Sequence, residues 1–188
     1  MKGLITVLTV IALSGCAKPT AEESFAAGEE AQERAESSLG VSPSTQDSLF
    51  MVAIGQYELV VENHPEDSLA ESSLFRIAEL HNNGTRRFQE AINTYRRFMT
   101  TYPKSPRTPV SLFMIAFLYN NELHDLTNAS TAYRDFLALY PDHELAPSAS
   151  GELANLGKSP EQIIEQQVAM MKEKTSDKDS PQGGQKNQ

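Results

Sequence analysis

The 188-residue sequence predicts an all-α fold, a solenoid of helix–turn–helix hairpins with a 38-residue repeat. Three observations predict it. First, Ala91-Ile-Asn-Thr-Tyr95-Arg-Arg-Phe98-Met-Thr-Thr-Tyr102-Pro103 recurs as Ala129-Ser-Thr-Ala-Tyr133-Arg-Asp-Phe136-Leu-Ala-Leu-Tyr140-Pro141, 38 residues on, and a fixed offset is the mark of a repeat array. Second, Leu74, Phe75, Ile77, Ala78 and Leu80 return at the same step as Leu112, Phe113, Ile115, Ala116 and Leu118. Both blocks space their apolar residues as one stripe of a helix. Third, the longer block ends on proline, which lacks a donor and stops a helix, and a turn cluster, Asn82-Asn83-Gly84-Thr85, separates the two blocks. One hairpin cannot bury both of its stripes, whereas stacked neighbours can.

Met1-Lys2-Gly3, an apolar run from Leu4 to Leu13 and then Ser14-Gly15-Cys16 read as a secretory leader over residues 1–15. The run is too short to cross a membrane as a helix, which takes about 20 residues. Cys16 is the sole cysteine, so it has no disulfide partner, and a lone thiol in an oxidising compartment needs a purpose. Residues 16–44 are rich in Glu, Ala and Ser, with only a thin stripe of Ala21, Phe25, Ala35 and Leu39. They read as an acidic tether, partly helical, with packing on the first repeat left open. Gly40 stands where the repeat would place Ala78, so the first unit is expected to lack its proper first helix.

Residues 45–157 hold the repeats. A helix from about Thr45 to Asn63, followed by His64-Pro65, supplies the second half of the first unit. Ser68–Thr101 and Thr108–Leu139 are complete units. Leu145–Leu156 begins another and stops at Gly157. Ser159-Pro160-Glu161-Gln162 restarts a helix, with serine as cap, proline at the first position and glutamine three residues after the cap. Residues 158–174 then carry Ile163/Ile164, Val168 and Met171 on one side, which suits a terminal capping helix. Residues 175–188 contain no large apolar side chain and are expected to be disordered.

Charge is unevenly spread. The net charge is −9, and loss of the leader with its single charge, Lys2, takes it to −10. An acidic chain argues against nucleic acid as partner. The stretch from Arg76 to Arg107 nonetheless has seven bases and two acids, a basic band that includes Arg86, Arg87, Arg96 and Arg97. Two readings stand: a solvated face that balances its acidic neighbours, or a docking patch for an acidic protein, anionic glycan or lipid headgroups. Arg96 and Arg97 lie opposite the Tyr95/Phe98 stripe and are expected on the outer side. Catalytic signatures are absent: no nucleophile elbow, zinc-binding helix motif, phosphate loop or Cys/His cluster occurs. The histidines, His64, His81, His124 and His143, are scattered, and a metal site needs three or four ligands. Asp142-His143-Glu144 reads as a solvated linker. No catalytic residue, metal or cofactor is expected.

The residues that carry the repeat resemble a known family. Ile77-Ala78, Ala91, Tyr95, Phe98 and Pro103 look like the tetratricopeptide-repeat pattern of small residue, alanine, aromatic and terminal proline. One extra residue in the inner turn and a longer linker after the proline stretch the usual unit. The linker Tyr-Pro-x-Ser-x-x-x-Pro is similar to that in tetratricopeptide lipoproteins of the bacterial envelope, among them those serving outer-membrane β-barrel assembly and Tol–Pal-associated division. Leu13-Ser14-Gly15-Cys16 looks like a lipobox, which implies acylation of Cys16. Several chains together anchor stably, and Ala17 after the cysteine implies outer-membrane retention.

The resemblance further implies that the first helix of each unit lines a concave groove. On that face fall Phe75, Glu79 and Asn82 of one unit, and Phe113, Phe117, Asn120 and Asn121 of the next. Phe117 is equally consistent with core. The function implied is a lipid-anchored, non-enzymatic interaction scaffold on the periplasmic face of the outer membrane, with envelope proteins or peptide segments as partners. The alternative is an accessory that binds peptidoglycan or another anionic glycan through the basic unit. The exposed ends of so short an array leave the oligomeric state open.

Overall fold

The computed structural model describes residues 18–38 and 42–178, with side chains to residue 172. The expected leader, Cys16 and residues 179–188 of the expected 175–188 tail lie outside the described residues, while residues 175–178 continue the last helix. Every regular element described is helical and the elements recur as hairpins, an all-α helical repeat of the solenoid class. The helices are α1 (Ala21–Ser37), α2 (Pro43–Asn63), α3 (Ser68–Glu79), α4 (Phe88–Thr101), α5 (Thr108–Asn121), α6 (Leu126–Leu139), α7 (Ala146–Asn155) and α8 (Pro160–Lys178). They fall into two compact units that divide between Thr85 and Arg86.

The first unit shows what residues 18–38 of the acidic stretch form. Within it, α1 is a continuous 17-residue helix packed along α2, which decides the packing left open. Its start is fixed by a reciprocal cap: the Glu23 amide donates to Thr20 Oγ1 at 3.1 Å and the Thr20 amide to Glu23 Oε2 at 2.9 Å. The face it buries is small, namely Ala21, Ser24, Gly28, Ala31 and Ala35, so the two helix backbones come close. At Gly28 a Cβ would fall 2.7 Å from Cε1 of Tyr57. Tyr57 is fully buried, and Phe25 meets its ring edge-on at 5.4 Å. Ala21, Val60 and Ala70 join all three helices of the unit in one apolar cluster, with Phe25 and Leu69 against it.

The register of α1 explains why it was hidden. Phe25 and Gly28 stand to Tyr57 as Phe113 and Ala116 stand to Tyr133, three residues apart on the first helix. From Phe25 to Phe75 is 50 residues, twelve more than the repeat, and the surplus lies mostly in a longer end of α1 and a longer start of α2. The first hairpin therefore has its first helix after all, with Gly28 at the small position, and Gly40 lies outside the described residues.

The 38-residue period is written into the backbone. The residues that close α2, α4 and α6 are His64, Tyr102 and Tyr140, with φ/ψ of −134/51°, −124/61° and −134/54°. Each donates its amide to the carbonyl four residues back, at 2.9, 2.8 and 2.8 Å. At the inner turns, Thr85 and Leu123 each donate to the carbonyl five residues back, Leu80 and Leu118, at 2.9 and 3.0 Å. This wide turn accommodates the extra residue expected there. The next residues, Arg86 and His124, both adopt left-handed backbone, φ 53° and 52°, a conformation that disfavours side chains bearing a Cβ.

In the second unit α4, α5, α6 and α7 pack in succession. Leu112, Ile115, Ala116 and Tyr119 of α5 are buried, as are Ala129, Tyr133 and Phe136 of α6. The ring of Phe113 meets Tyr133 and Phe136 edge-on, both at 5.8 Å, and Phe136 meets His143 at 5.7 Å. His143 also accepts from the Leu145 amide through Nδ1 at 3.1 Å, so its role is to shape the turn before α7. Gly157, at φ 75°, ends the segment after α7 in the left-handed region that favours glycine. The expected cap of α8 is present: the Ser159 amide donates to Gln162 Oε1 at 2.9 Å and the Gln162 amide to Ser159 Oγ at 3.3 Å.

Candidate interaction surface

Each unit has a hollow on the face made by its first helices. In the first unit, Glu29, Gln32, Glu33 and Glu36 of α1 and Arg76 of α3 line a hollow of about 350 Å³. Gln32 and Glu36 also line a second of about 380 Å³, with Phe50, Glu79, Leu80, Asn83 and Gly84. The carboxylates outnumber the one guanidinium, which lies 3.6 Å from Glu29. Tyr57 secures the floor, its hydroxyl donating to Gln32 Oε1 at 3.3 Å. Burial, opposed by the Arg76 charge and reinforced by Glu29, Glu36 and Glu79, pushes the Tyr57 phenol up to about 12. Of the groove residues expected here, Glu79 lines the hollow. Phe75 and Asn82 are half-buried, and Asn83 and Gly84 take the wall instead.

In the second unit a hollow of about 490 Å³ is lined by Asn120 and Asn121 of α5, Glu152 and Asn155 of α7, and Lys158 and Ile163 beyond them, among others. The Asn120 amide donates to Glu152 Oε2 at 3.3 Å, and that of Asn121 to the Phe117 carbonyl at 3.1 Å. The arrangement offers amide donors and acceptors, one ammonium and one carboxylate around a floor with apolar members, which suits an extended peptide backbone with polar side chains. Of the groove residues expected in this unit, Asn120 and Asn121 line the hollow. Phe113 is turned into the α5–α6 pairing, and Phe117 is half-buried. Glu152, Asn155 and Lys158 were missed, although the period pointed to the last two. Asn155 and Lys158 lie 38 residues after Phe117 and Asn120.

The basic band is partly spent inside its own unit. Arg86 lies 3.3 Å from Glu122 and over the ring of Phe88 at 5.2 Å. Arg96 donates to the Tyr119 hydroxyl at 2.9 Å and sits over that ring at 5.7 Å. Arg96 and Arg97 are exposed and Arg87 is half-buried. Among the described residues no three His, Cys, Asp or Glu side chains are grouped as a metal site would need, and no helix is long and apolar enough to cross a membrane.

Residues 72–105 and 110–143 each match the tetratricopeptide repeat family model. These two stretches are tetratricopeptide repeats. The second match starts 38 residues after the first, which is the period seen in the turns and caps. Tetratricopeptide repeats are in general non-enzymatic scaffolds that bind protein partners. No curated protein matches the chain.

Proposed function

We propose that this protein is a non-enzymatic docking module of the bacterial envelope, held to the periplasmic face of an outer membrane by acyl chains on Cys16. Extended segments of envelope proteins would lie along the first-helix faces of its repeats, in the service of outer-membrane protein assembly or of division. The observation that carries the docking reading is the polar hollow of the second unit, where amide, ammonium and carboxylate groups from α5, α7 and the turn into α8 converge. The acidic hollow beside α1 supports a segment that also carries basic side chains. Anchoring rests on the leader and on Cys16 as read from the sequence. Glycan binding through the basic band draws less support, because Arg86 and Arg96 already have partners in their own unit.

The test is in-cell photocrosslinking from position 121, with identification of the captured protein. A discrete crosslinked partner is expected, lost in Asn120→Ala/Lys158→Ala while the helical circular dichroism is kept. Capture of no partner, or capture indifferent to that double change, would sink the docking reading. Anchoring is checked separately: Cys16→Ala should leave the membrane fraction without unfolding, and continued sedimentation with membranes would refute the anchor.

A further inference from the structure

The stripe of α8, expected to cap the array, lies open, with Ile164 60% and Val168 44% exposed. A surface edged by more selective groups lies elsewhere in the second unit, on the side of α4 and α6. Both helices pack on α5, and the furrow between them holds a pocket of about 180 Å³. Its floor is apolar: Leu112, Ile115 and Tyr119 from one face of α5, with Met99 and Ala132 beside them. Its two rims are polar and unlike each other.

The α4 rim offers donors. Arg96 gives one N–H to the Tyr119 hydroxyl at 2.9 Å and lies over that ring. Among the described residues it pairs with no carboxylate, so most of its planar fork is available. The Tyr119 hydroxyl accepts that bond and keeps its own hydrogen to donate, from a side chain only 7% exposed. The α6 rim offers acceptors. Asp135 is exposed, and among the described residues its carboxylate forms no ion pair. Thr131, whose hydroxyl hydrogen goes to the Thr127 carbonyl at 3.0 Å, and Asn128 add oxygens along the same rim.

Size decides the kind of occupant. Small-molecule sites enclose about 300–1,000 Å³. This pocket holds less, room for one large apolar side chain of the sort that anchors a longer chain. The unlike rims then fix the anchor's neighbours: an acidic group beside Arg96 and Tyr119, a basic one beside Asp135. A purely anionic glycan or headgroup would set its charge against Asp135.

We infer that this pocket is a second docking site, for a polypeptide segment in which a large apolar side chain stands between an acidic and a basic one. The segment crosses α5 from α4 to α6, acid toward Arg96 and base toward Asp135. The site shares no lining residue with the hollow of Asn120 and Lys158, so the two can be filled and broken separately.

Panning random short peptides against the immobilised full chain, then following one selected, labelled peptide by fluorescence anisotropy, tests this. The enriched peptides should share an apolar residue between an acid and a base. Thr131→Trp, at an exposed position, puts a ring across the mouth without altering charge. It should abolish binding while the helical circular dichroism is kept. Asp135→Lys should weaken binding about tenfold, and exchanging the peptide's base for glutamate should restore it. Arg96→Glu should behave alike toward a peptide whose acid is exchanged for lysine. Asn120→Ala/Lys158→Ala should change nothing. Enrichment of no such pattern, binding indifferent to Thr131→Trp, binding lost with Asn120→Ala/Lys158→Ala, or a loss that the complementary peptides fail to restore each overturns the inference. So does a chain that sediments as a dimer dissolved by Thr131→Trp, which would make a second copy the occupant.

Discussion

The α1–α2 hairpin and the α5–α6 hairpin solve one packing problem with opposite means. In both a phenylalanine of the first helix meets, edge-on, a fully buried tyrosine of the second: Phe25 with Tyr57, Phe113 with Tyr133. The third hairpin has Ala116 at the small position, joined to α6 by a short turn. The first has Gly28, a face of Ala, Ser and Gly, and longer helices, 17 and 21 residues against 14 and 14. Close approach substitutes for bulk: small side chains let α1 reach the tyrosine that larger ones would hold away. The tyrosine niche is what stays constant, whereas the length of chain around it varies.

The sharpest way to break that equivalence is to fill the space that only the first hairpin needs empty. Gly28→Leu should destabilise the protein by about 3 kcal/mol, because its side chain must enter the volume held by the buried Tyr57 ring, and should expose α1 to protease. Chemical denaturation together with limited proteolysis checks this, and a variant as stable as wild type would show that α1 does not depend on close approach. The mirror change is Ala116→Gly. That niche is built for a methyl group and the helix loses propensity, so a cost of about 1 kcal/mol is expected from the same denaturation experiment.

How much of this was legible beforehand divides along the same line. Repeats carried by Tyr95, Phe98 and Pro103 stood out because large side chains and helix stops make strong periodic contrast. Helix α1 did not, since an Ala/Ser/Gly face looks like a polar tether and the twelve-residue surplus broke the period. Its cap, Thr20-x-x-Glu23, was readable and would have placed the helix start. In the candidate site, Asn120 and Asn121 came from the resemblance, and Asn155 and Lys158 could have come from carrying the period one step further. Whether Phe113 faces groove or neighbour, and whether the stripe of α8 is covered, depends on what packs against each face. A stripe announces a face without announcing its occupant.

The tyrosine hydroxyls should separate the two hairpins in sign. Tyr57 donates to Gln32 at 3.3 Å, so Tyr57→Phe should cost about 0.5–1 kcal/mol. The Tyr133 hydroxyl is buried with no hydrogen-bond partner among the described residues. Deleting it removes an unsatisfied group, and Tyr133→Phe should stabilise by about 1 kcal/mol. Equal effects from the two changes, in a thermal melt of each variant, would mean that the niches are satisfied alike.

The last effect is one of pH, and it follows from the same burial. Loss of water around the phenol raises Tyr57 from 10 to about 12. Burial, with Glu152 adding to it, raises Tyr133 further. A phenol whose folded value is raised favours the folded state while it stays protonated. Its contribution is complete below pH 10, where the unfolded chain also keeps the proton, and is lost as pH climbs from 10 through about 12. The denaturation midpoint should therefore be flat from pH 8 to 9.5 and fall above 10. In Tyr133→Phe the fall should be shallower, because one of the two hindered phenols is gone, while the neutral-pH stability is higher. A parallel decline in the two proteins would mean that Tyr133 reaches solvent before it ionises and that its burial is not held against local opening.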